Sequence, residues 1–254
     1  MAKADDLKAM IAEAESIVAF TGAGISTESG IPDFRSPGGI WTKYRPIEFG
    51  DFVASAEARR EAWRRKFATH ETMQKATPNA GHRALVELER RGRLHALVTQ
   101  NIDGLHQLAG SAAEKVIEVH GTMREAMCMQ CAWRGPMPPV LDRVRAGEDD
   151  PPCEQCCGIL KSATISFGQA LVPAVIDRAM LAAASADLLL AIGTSLQVYP
   201  IAGIVPLAKS AGARVVIINA QPTPFDDEAD AVLREPIGEI LPVVCGITTE
   251  LTSP

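Results

Sequence analysis

Short, uninterrupted apolar runs alternate along the chain with longer amphipathic stretches. Leu7, Met10, Ile11 and Ala14 recur at helical spacing and predict an N-terminal helix with one apolar stripe. The runs Ser16 to Phe20, Leu94 to Val98, Val116 to Val119, Leu188 to Ile192 and Val215 to Ile218 do not alternate with polar residues. That is the pattern of strands covered on both faces, as in a parallel sheet. Helical patterns lie between them, including Ala80 to Arg91, closed by Gly92, and Pro173 to Ala184. The alternation predicts an α/β fold built on a parallel, helix-covered sheet.

The residues directly after each run point from fold to site. Gly22-Ala23-Gly24 succeed the first, Gln100-Asn101-Ile102-Asp103 the second and His120-Gly121 the third. Gly193-Thr194-Ser195 and Asn219-Ala220-Gln221 succeed the last two. Ligands of open α/β sheets bind at the carboxyl ends of the strands, so these segments are expected to converge on one crevice. Gly22 and Gly24 are expected to turn the backbone tightly and bring bare N–H groups close to a phosphate. The G-x-G-x-x-G dinucleotide pattern is incomplete, because Thr27 stands in the third glycine's place. Ser26, Thr27, Asp33, Phe34 and Arg35 add hydroxyls, a carboxylate, an aromatic face and a guanidinium, and Pro32 restricts Ile31 to extended geometry. An ordered loop over a ligand is expected there. Helix capping is the plainer use of Asn101 and Asp103, and a hydrogen-bonded core position that of His120. Yet His120 alone among the five histidines succeeds an extended apolar strand and precedes a glycine. A histidine with a pKa near 6.5 can accept a proton at neutral pH.

Two segments break the alternation. Arg35 to Pro78 carries Trp41, Tyr44, Phe49, Phe52, Trp63 and Phe67 and predicts a helical excursion capping the crevice. Its cluster Arg59, Arg60, Arg64, Arg65 and Lys66 is expected to be a solvated helix face rather than a phosphate or peptide site. Arg124 to Lys161 holds five prolines and the pattern C-x2-C-x21-C-x2-C formed by Cys128, Cys131, Cys153 and Cys156. Four thiolates at this spacing fill the coordination of a structural zinc, with redox CxxC chemistry as the competing reading. Cys157 could replace Cys156 after a one-residue slip, and Cys245 is expected to be a buried core thiol.

At 254 residues and 47% hydrophobic content, the chain can bury one large core and a small appendage. A net charge of −6 supplies no general attraction to nucleic acid or to anionic lipid, so neither is expected as a direct partner. No apolar run approaches the roughly 20 residues of a membrane span, and the first ten residues lack the core of a signal peptide. A cytoplasmic protein is expected, in a reducing compartment that suits metal-binding thiols.

GAGISTESGIPDFRS, Gly22 to Ser36, resembles the signature loop of the sirtuins, NAD-dependent protein lysine deacylases. TQNIDGLHQLAG from Thr99, VIEVHG from Val116, GTSLQVYP from Gly193 and INAQPTPFDDEAD from Ile218 resemble further motifs of that family, so the likeness covers nearly the whole chain. It implies a Rossmann-like sheet with helices on both faces, formed by 1–34, 79–123 and 163–254. It also implies a helical excursion at 35–78 and a zinc-ribbon lobe at 124–162. NAD would be the co-substrate, zinc structural, and acylated lysine-containing proteins or peptides the partners. Gly22, Ala23 and Gly24 would line the pyrophosphate, with Gly193, Thr194, Ser195 and Asn219 along the phosphates and adenosine ribose. Ser26, Ile31, Asp33, Phe34, Arg35, Gln100, Asn101, Ile102 and Asp103 would surround the nicotinamide and its ribose. His120 would be the base that activates the ribose hydroxyl. Phe167 and Gly168 would pair with the substrate peptide, next to Gln169, which departs from the glutamate usual in the family.

Sirtuins that prefer succinyl or malonyl lysine carry a Tyr-x-x-Arg pair in the excursion. The corresponding stretch here, Glu61 to Phe67, has Trp63 and arginines but no tyrosine, so uncharged acyl groups are expected. Three other readings of the sequence remain: ADP-ribosyl transfer to protein, hydride transfer by a dehydrogenase, and a zinc-ribbon binding module. The dehydrogenase fingerprint expects an acidic residue ending a second strand about 20 positions on, where this chain is still in its aromatic excursion.

Overall fold

The computed structural model describes residues 2–36 and 38–247, so residue 1, Pro37 and 248–254 of the expected units lie outside the described residues. Nine strands are described: β1 Ile17–Thr21, β2 Leu94–Thr99, β3 Val116–Glu118, β4 Gly121–Cys128, β5 Arg134–Pro136, β6 Leu160–Thr164, β7 Leu188–Ile192, β8 Arg214–Ile218 and β9 Ala231–Leu233. The helices are α1 Ala2–Glu13, α2 Ile40–Lys43, α3 Phe49–Ala54, α4 Ala56–Lys75, α5 Ala80–Arg90, α6 Leu105–Ala109, α7 Met137–Arg145, α8 Pro173–Ala184, α9 Ile204–Ser210 and α10 Ile237–Val244.

Six strands form one parallel sheet in the order β3-β2-β1-β7-β8-β9. All five expected apolar runs are strands of it. Successive residues of β1 feed opposite faces. Ile17 and Ala19 join a core with Leu7 and Ile11 of α1, Leu85 and Leu88 of α5, and Leu241 of α10. Val18 and Phe20 join another with Ala179 and Ala183 of α8 and Ile204 and Val205 of α9. The non-alternating sequence of β1, β7 and β8 thus reflects helices on both faces. β9 has no counterpart among the expected runs; it is three residues long, and its first two are only half-buried. Among the described residues no helix is long and apolar enough to cross a membrane.

The chain leaves β1 for β2 and β3 on one side and returns through β7, β8 and β9 on the other. The order therefore reverses between β1 and β7, where an open α/β sheet leaves a crevice. The second sheet, β5-β4-β6, is antiparallel, and β4 and β6 run through 123/124 and 162/163. Its core holds Ala126, Met137, Leu141 and Leu160, and Trp63 of α4 is buried in the same cluster. The basic side chains of α4 are not the uniform solvated face expected. Arg59 is bound to Asp150 and only 14% exposed, which ties α4 to the turn before Cys153. Arg60, Arg64 and Arg65 pair with Glu57 and Glu61 on the helix surface. Lys66 is half-buried and makes no ion pair among the described residues.

Candidate active site

At the β1–β7 junction the glycines serve close approach of two turns. A Cβ on Gly22 would stand 2.7 Å from Gly193 O, and one on Gly24 2.7 Å from Gly193 Cα. Gly193 has φ +61, and a Cβ there would meet Ile25 N at 2.4 Å. The expectation of bare N–H groups is corrected at two positions, because Gly22 N–H donates to Ile192 O and Gly24 N–H to Gly193 O. Parallel pairing continued past the strand ends uses up these donors. Beyond Gly22 the chain turns into a 3-10 helix, Ala23–Ser29.

The segment after β2 is bound to that turn from below. Asn101 Nδ2 donates to Gly22 O at 3.0 Å and Ser26 Oγ at 3.2 Å. Ser26 Oγ in turn donates to Asp103 Oδ2 at 2.8 Å, while Asp103 Oδ1 accepts from Leu105 N–H and starts α6. Asp103 thus lies one residue ahead of Gly104, the N-cap of α6, where it binds the first helical N–H, and it also faces the glycine turn. Burial pushes its carboxyl upward, against the Leu105 N–H and Ser26 hydroxyl it accepts from. Ile102 O accepts from Met123 N–H, joining this segment to β4. Gln100 Nε2 donates to Thr194 Oγ1 at 2.8 Å, linking the ends of β2 and β7.

His120 stands two residues beyond the end of β3. Its Nδ1 lies 3.0 Å from Gln100 O, and a carbonyl can only accept, so the proton is on Nδ1. Nε2 keeps its lone pair and makes no hydrogen bond among the described residues. Burial pushes the imidazole below its ordinary pKa, partly offset by the Gln100 carbonyl. The ring is therefore neutral at pH 7, with a defined tautomer. Ile165 N–H donates to His120 O, which joins this position to the segment after β6.

The loop after the 3-10 helix closes over one side. Ile31 is buried, and Asp33 accepts from Ser36 N–H and Oγ. Phe34 is 39% exposed, with its ring centroid 5.7 Å from that of Trp41. Trp41 stands 5.5 Å from Phe167, and the Arg35 guanidinium lies 4.3 Å over the Trp41 ring. Phe167 O accepts from Phe49 N–H, and Gly168 has φ +76. The Gln169 side-chain carbonyl accepts from Ser166 N–H, an acceptor role a glutamate could fill equally. Asn219 is turned along its own loop, Nδ2 donating to Gln221 O, and Arg234 donates to both backbone carbonyls. Ser195 is half-buried beside Thr194.

The Sγ atoms of Cys128, Cys131, Cys153 and Cys156 lie within 4.8 Å of one another. The contacts cross between the two pairs: Cys128 to Cys156 at 3.5 Å and Cys131 to Cys153 at 3.7 Å. Four thiolates about 2.3 Å from a tetrahedral zinc would stand roughly 3.8 Å apart, so the residues fit structural zinc and leave no position for a substrate. Gln130 and Cys131 N–H both point at Cys128 Sγ. Cys157 is exposed, in the left-handed region at φ 59, and outside the cluster, so Cys156 is the one of the two that lies with the other three thiols. Cys245 is buried, as expected.

Several members of this network carry little signal in the sequence. Trp41 reads there only as part of an aromatic segment, and the Gln100–Thr194 bond spans 94 residues. Asn79, besides capping α5, donates to Ile25 O and Ser29 Oγ, so it holds the glycine-turn helix. Its position before Ala80 is the available signal. Beneath the site, Thr21 Oγ1 donates to Thr99 Oγ1 and accepts from His106 Nε2, whose ring centroid lies 4.9 Å from that of His82 with the planes tilted by 55°. Burial pushes His82 down to about 4 and His106 to about 3.

Residues 22–200 match the family model described as the Sir2 family. A protein of Bradyrhizobium diazoefficiens named NAD-dependent protein deacetylase 1 is 54% identical over 235 residues, which is 91% of each chain. Among solved structures, a Sir2 protein with a deacetylated p53 peptide and 3'-O-acetyl ADP ribose aligns at TM-score 0.88 and 35% identity, covering 96% of this chain and 98% of that one. A Sir2 protein with p53 peptide and NAD+ aligns at TM-score 0.86 and 33% identity, covering 96% of this chain and 98% of that one.

Proposed function

The chain belongs to the Sir2 family, and from that premise we propose that it removes acetyl and other uncharged acyl groups from protein lysines at the expense of NAD. Acyl-lysine, NAD and water go to lysine, nicotinamide and O-acyl-ADP-ribose. The observation that carries this reading is the state of His120: neutral, with its proton on Nδ1 held by Gln100 O and Nε2 open. Such a ring can take a proton from a ribose hydroxyl and so raise its nucleophilicity toward the acyl carbon.

NAD supplies the nicotinamide leaving group and the ribose that receives the acyl chain. The residues present fit it, since the close-packed turns at Gly22–Gly24 and Gly193–Thr194 leave backbone and little side chain at the β1–β7 crevice. Gly22, Ala23 and Gly24 would lie along the pyrophosphate, with Gly193, Thr194, Ser195 and Asn219 toward the adenosine end. Asn101 and Asp103, locked through Ser26 and Gly22, would hold the nicotinamide ribose beside His120. Gln100, Ile102, Ile31, Asp33, Phe34 and Arg35 would enclose the nicotinamide, the loop keeping water out. The acylated peptide would run past Phe167 and Gly168, where Phe167 O is already committed to Phe49 N–H and the Ser166 and Gln169 N–H groups are bound within the turn, leaving the Phe167 and Gly168 N–H groups for pairing. Zinc, held by the four cysteines, would staple the small lobe and take no part in the chemistry. A reducing cytoplasm is the compartment that keeps such thiols available.

Counting nicotinamide released against lysines unmasked tests the reading. One per lysine is expected. NAD consumed with the acyl group left on the peptide would contradict it and point to ADP-ribosyl transfer.

A further inference from the structure

Between α4 and β6 lies a cavity of about 110 Å³ lined by Phe52, Trp63, Lys66, Lys161, Ser162 and Ser166 among others. That volume holds several water-sized groups. Trp63 is 2% exposed, Lys161 3% and Ser162 9%. Trp63 Nε1 and Ser162 Oγ are buried without any hydrogen-bond partner. Among the described residues Lys161 Nζ donates only to the backbone carbonyls of Ser162 and Thr164, and the Lys66 ammonium makes no hydrogen bond or ion pair. Among the described residues no acidic side chain lines the cavity. Burial pushes both lysines down to about 8, and for Lys161 the nearby Lys66 charge adds to the effect.

An indole N–H and an ammonium can only donate, and a hydroxyl can. Four donors, two of them cationic, thus line one small cavity whose only acceptors for them are the Ser162 and Thr164 carbonyls bound to Lys161, with no anionic group among the described lining residues. Buried charge and orphaned donors are normally compensated, and a neutral water could not offset the two charges. We propose that this cavity is a binding site for a small oxyanion, inorganic phosphate or a short carboxylate, held by Lys66, Lys161, Trp63 Nε1 and Ser162 Oγ. The anion fastens α4 to β6, the strand that continues into Ser166 and Phe167. Its binding does not depend on the deacylation chemistry.

The test is calorimetric titration of the full chain with inorganic phosphate and, separately, with succinate, with the thermal unfolding midpoint as a second readout. The comparison is with Lys66→Met and Ser162→Ala. The Lys66 ammonium has no hydrogen-bond or ion-pair partner among the described residues, so replacing it with the methionine side chain should leave the structure intact. Binding of either anion that weakens about tenfold or more in Lys66→Met and several-fold in Ser162→Ala supports the site, and which anion binds identifies the source. Phosphate resting on the glycine turns would be unaffected by either substitution. Affinity equal in wild type and Lys66→Met for both anions, or no binding and no midpoint shift up to roughly 10 mM of either, would overturn it.

Discussion

Gln100 lies 20 residues before His120, yet its carbonyl fixes which imidazole nitrogen can act. His120→Ala should therefore leave NAD binding nearly intact while turnover falls roughly 100-fold or more, the usual scale for a lost base. Isothermal titration with NAD and steady-state kinetics read the two effects separately. Because burial lowers the His120 pKa, the acidic limb of kcat/KM should lie below the ordinary histidine value near 6.5 rather than at it. A limb displaced to higher pH would mean that the titrating group is not this ring. The buried pair His82 and His106 makes a stability prediction with a definite sign. Their folded pKa values, about 4 and about 3, are below the unfolded value, so the unfolded chain binds more protons below about 6.5. Their contribution is complete above that pH and is lost as pH falls toward 4, by up to about 1.4 kcal/mol per pH unit per ring. Urea midpoints at several pH values should show the decline, and His106→Gln should flatten the slope by about half. An unchanged slope would assign the acid sensitivity elsewhere. Residues such as Asn101, Asp103 and His120 are legible in the sequence because each comes directly after a strand end. Thr21, His82 and His106 are not, because their pairing spans 85 residues between Thr21 and His106 and leaves no local pattern.

At the scale of elements, the zinc knuckles are the clearest case of spacing that predicts structure. The sequence leaves Cys156 and Cys157 as alternatives, since a one-residue slip preserves the motif. Only the fold shows Cys156 Sγ beside Cys128 and Cys157 turned outward. Zinc binding is expected to contribute on the order of 10 kcal/mol or more to the folded lobe. Cys156→Ser should then lose the metal by elemental analysis and most of the activity, and Cys157→Ser should keep both. Equal zinc loss in the two variants would show the register to be wrong. The apolar strands β1, β2, β3, β7 and β8 and the helices α5 and α8 are readable almost to the residue, whereas β4 and β6 of the small lobe carry no continuous apolar run and are not legible as strands. β9 and the short strand β5 escape such a reading because three residues are too few to establish a period. The basic helix α4 departs in part from its sequence pattern, since a run of cations looks the same whether each one meets a carboxylate on its own helix or turns inward. Arg59 and Lys66 are the two that turn inward.

At the scale of the whole molecule, the parallel sheet, its reversal between β1 and β7 and the appended small lobe place chemistry-bearing residues from distant segments at one edge. Strand order itself cannot be read from periodicity; convergence can be inferred only because each of the five runs ends in polar residues or glycine. The acyl preference belongs to this scale, since it depends on how the excursion meets the small lobe. Trp63 is buried in the small lobe's core, and Arg64 and Arg65 are paired with Glu61. A carboxylated acyl chain therefore finds no free arginine there, and kcat/KM should favour acetyl over succinyl versions of one peptide. A tenfold preference for succinyl, about 1.4 kcal/mol, would reverse that conclusion and show that another residue supplies the clamp. The central claim, acyl transfer from lysine to NAD-derived ribose, is tested most directly by mass spectrometry of the products from wild-type protein, NAD and an acetyl-lysine peptide. Nicotinamide, unmodified lysine peptide and O-acetyl-ADP-ribose in equal amounts are the predicted result. NADH with the acetyl group still on lysine, or acetate released without any acetylated ADP-ribose, would contradict it.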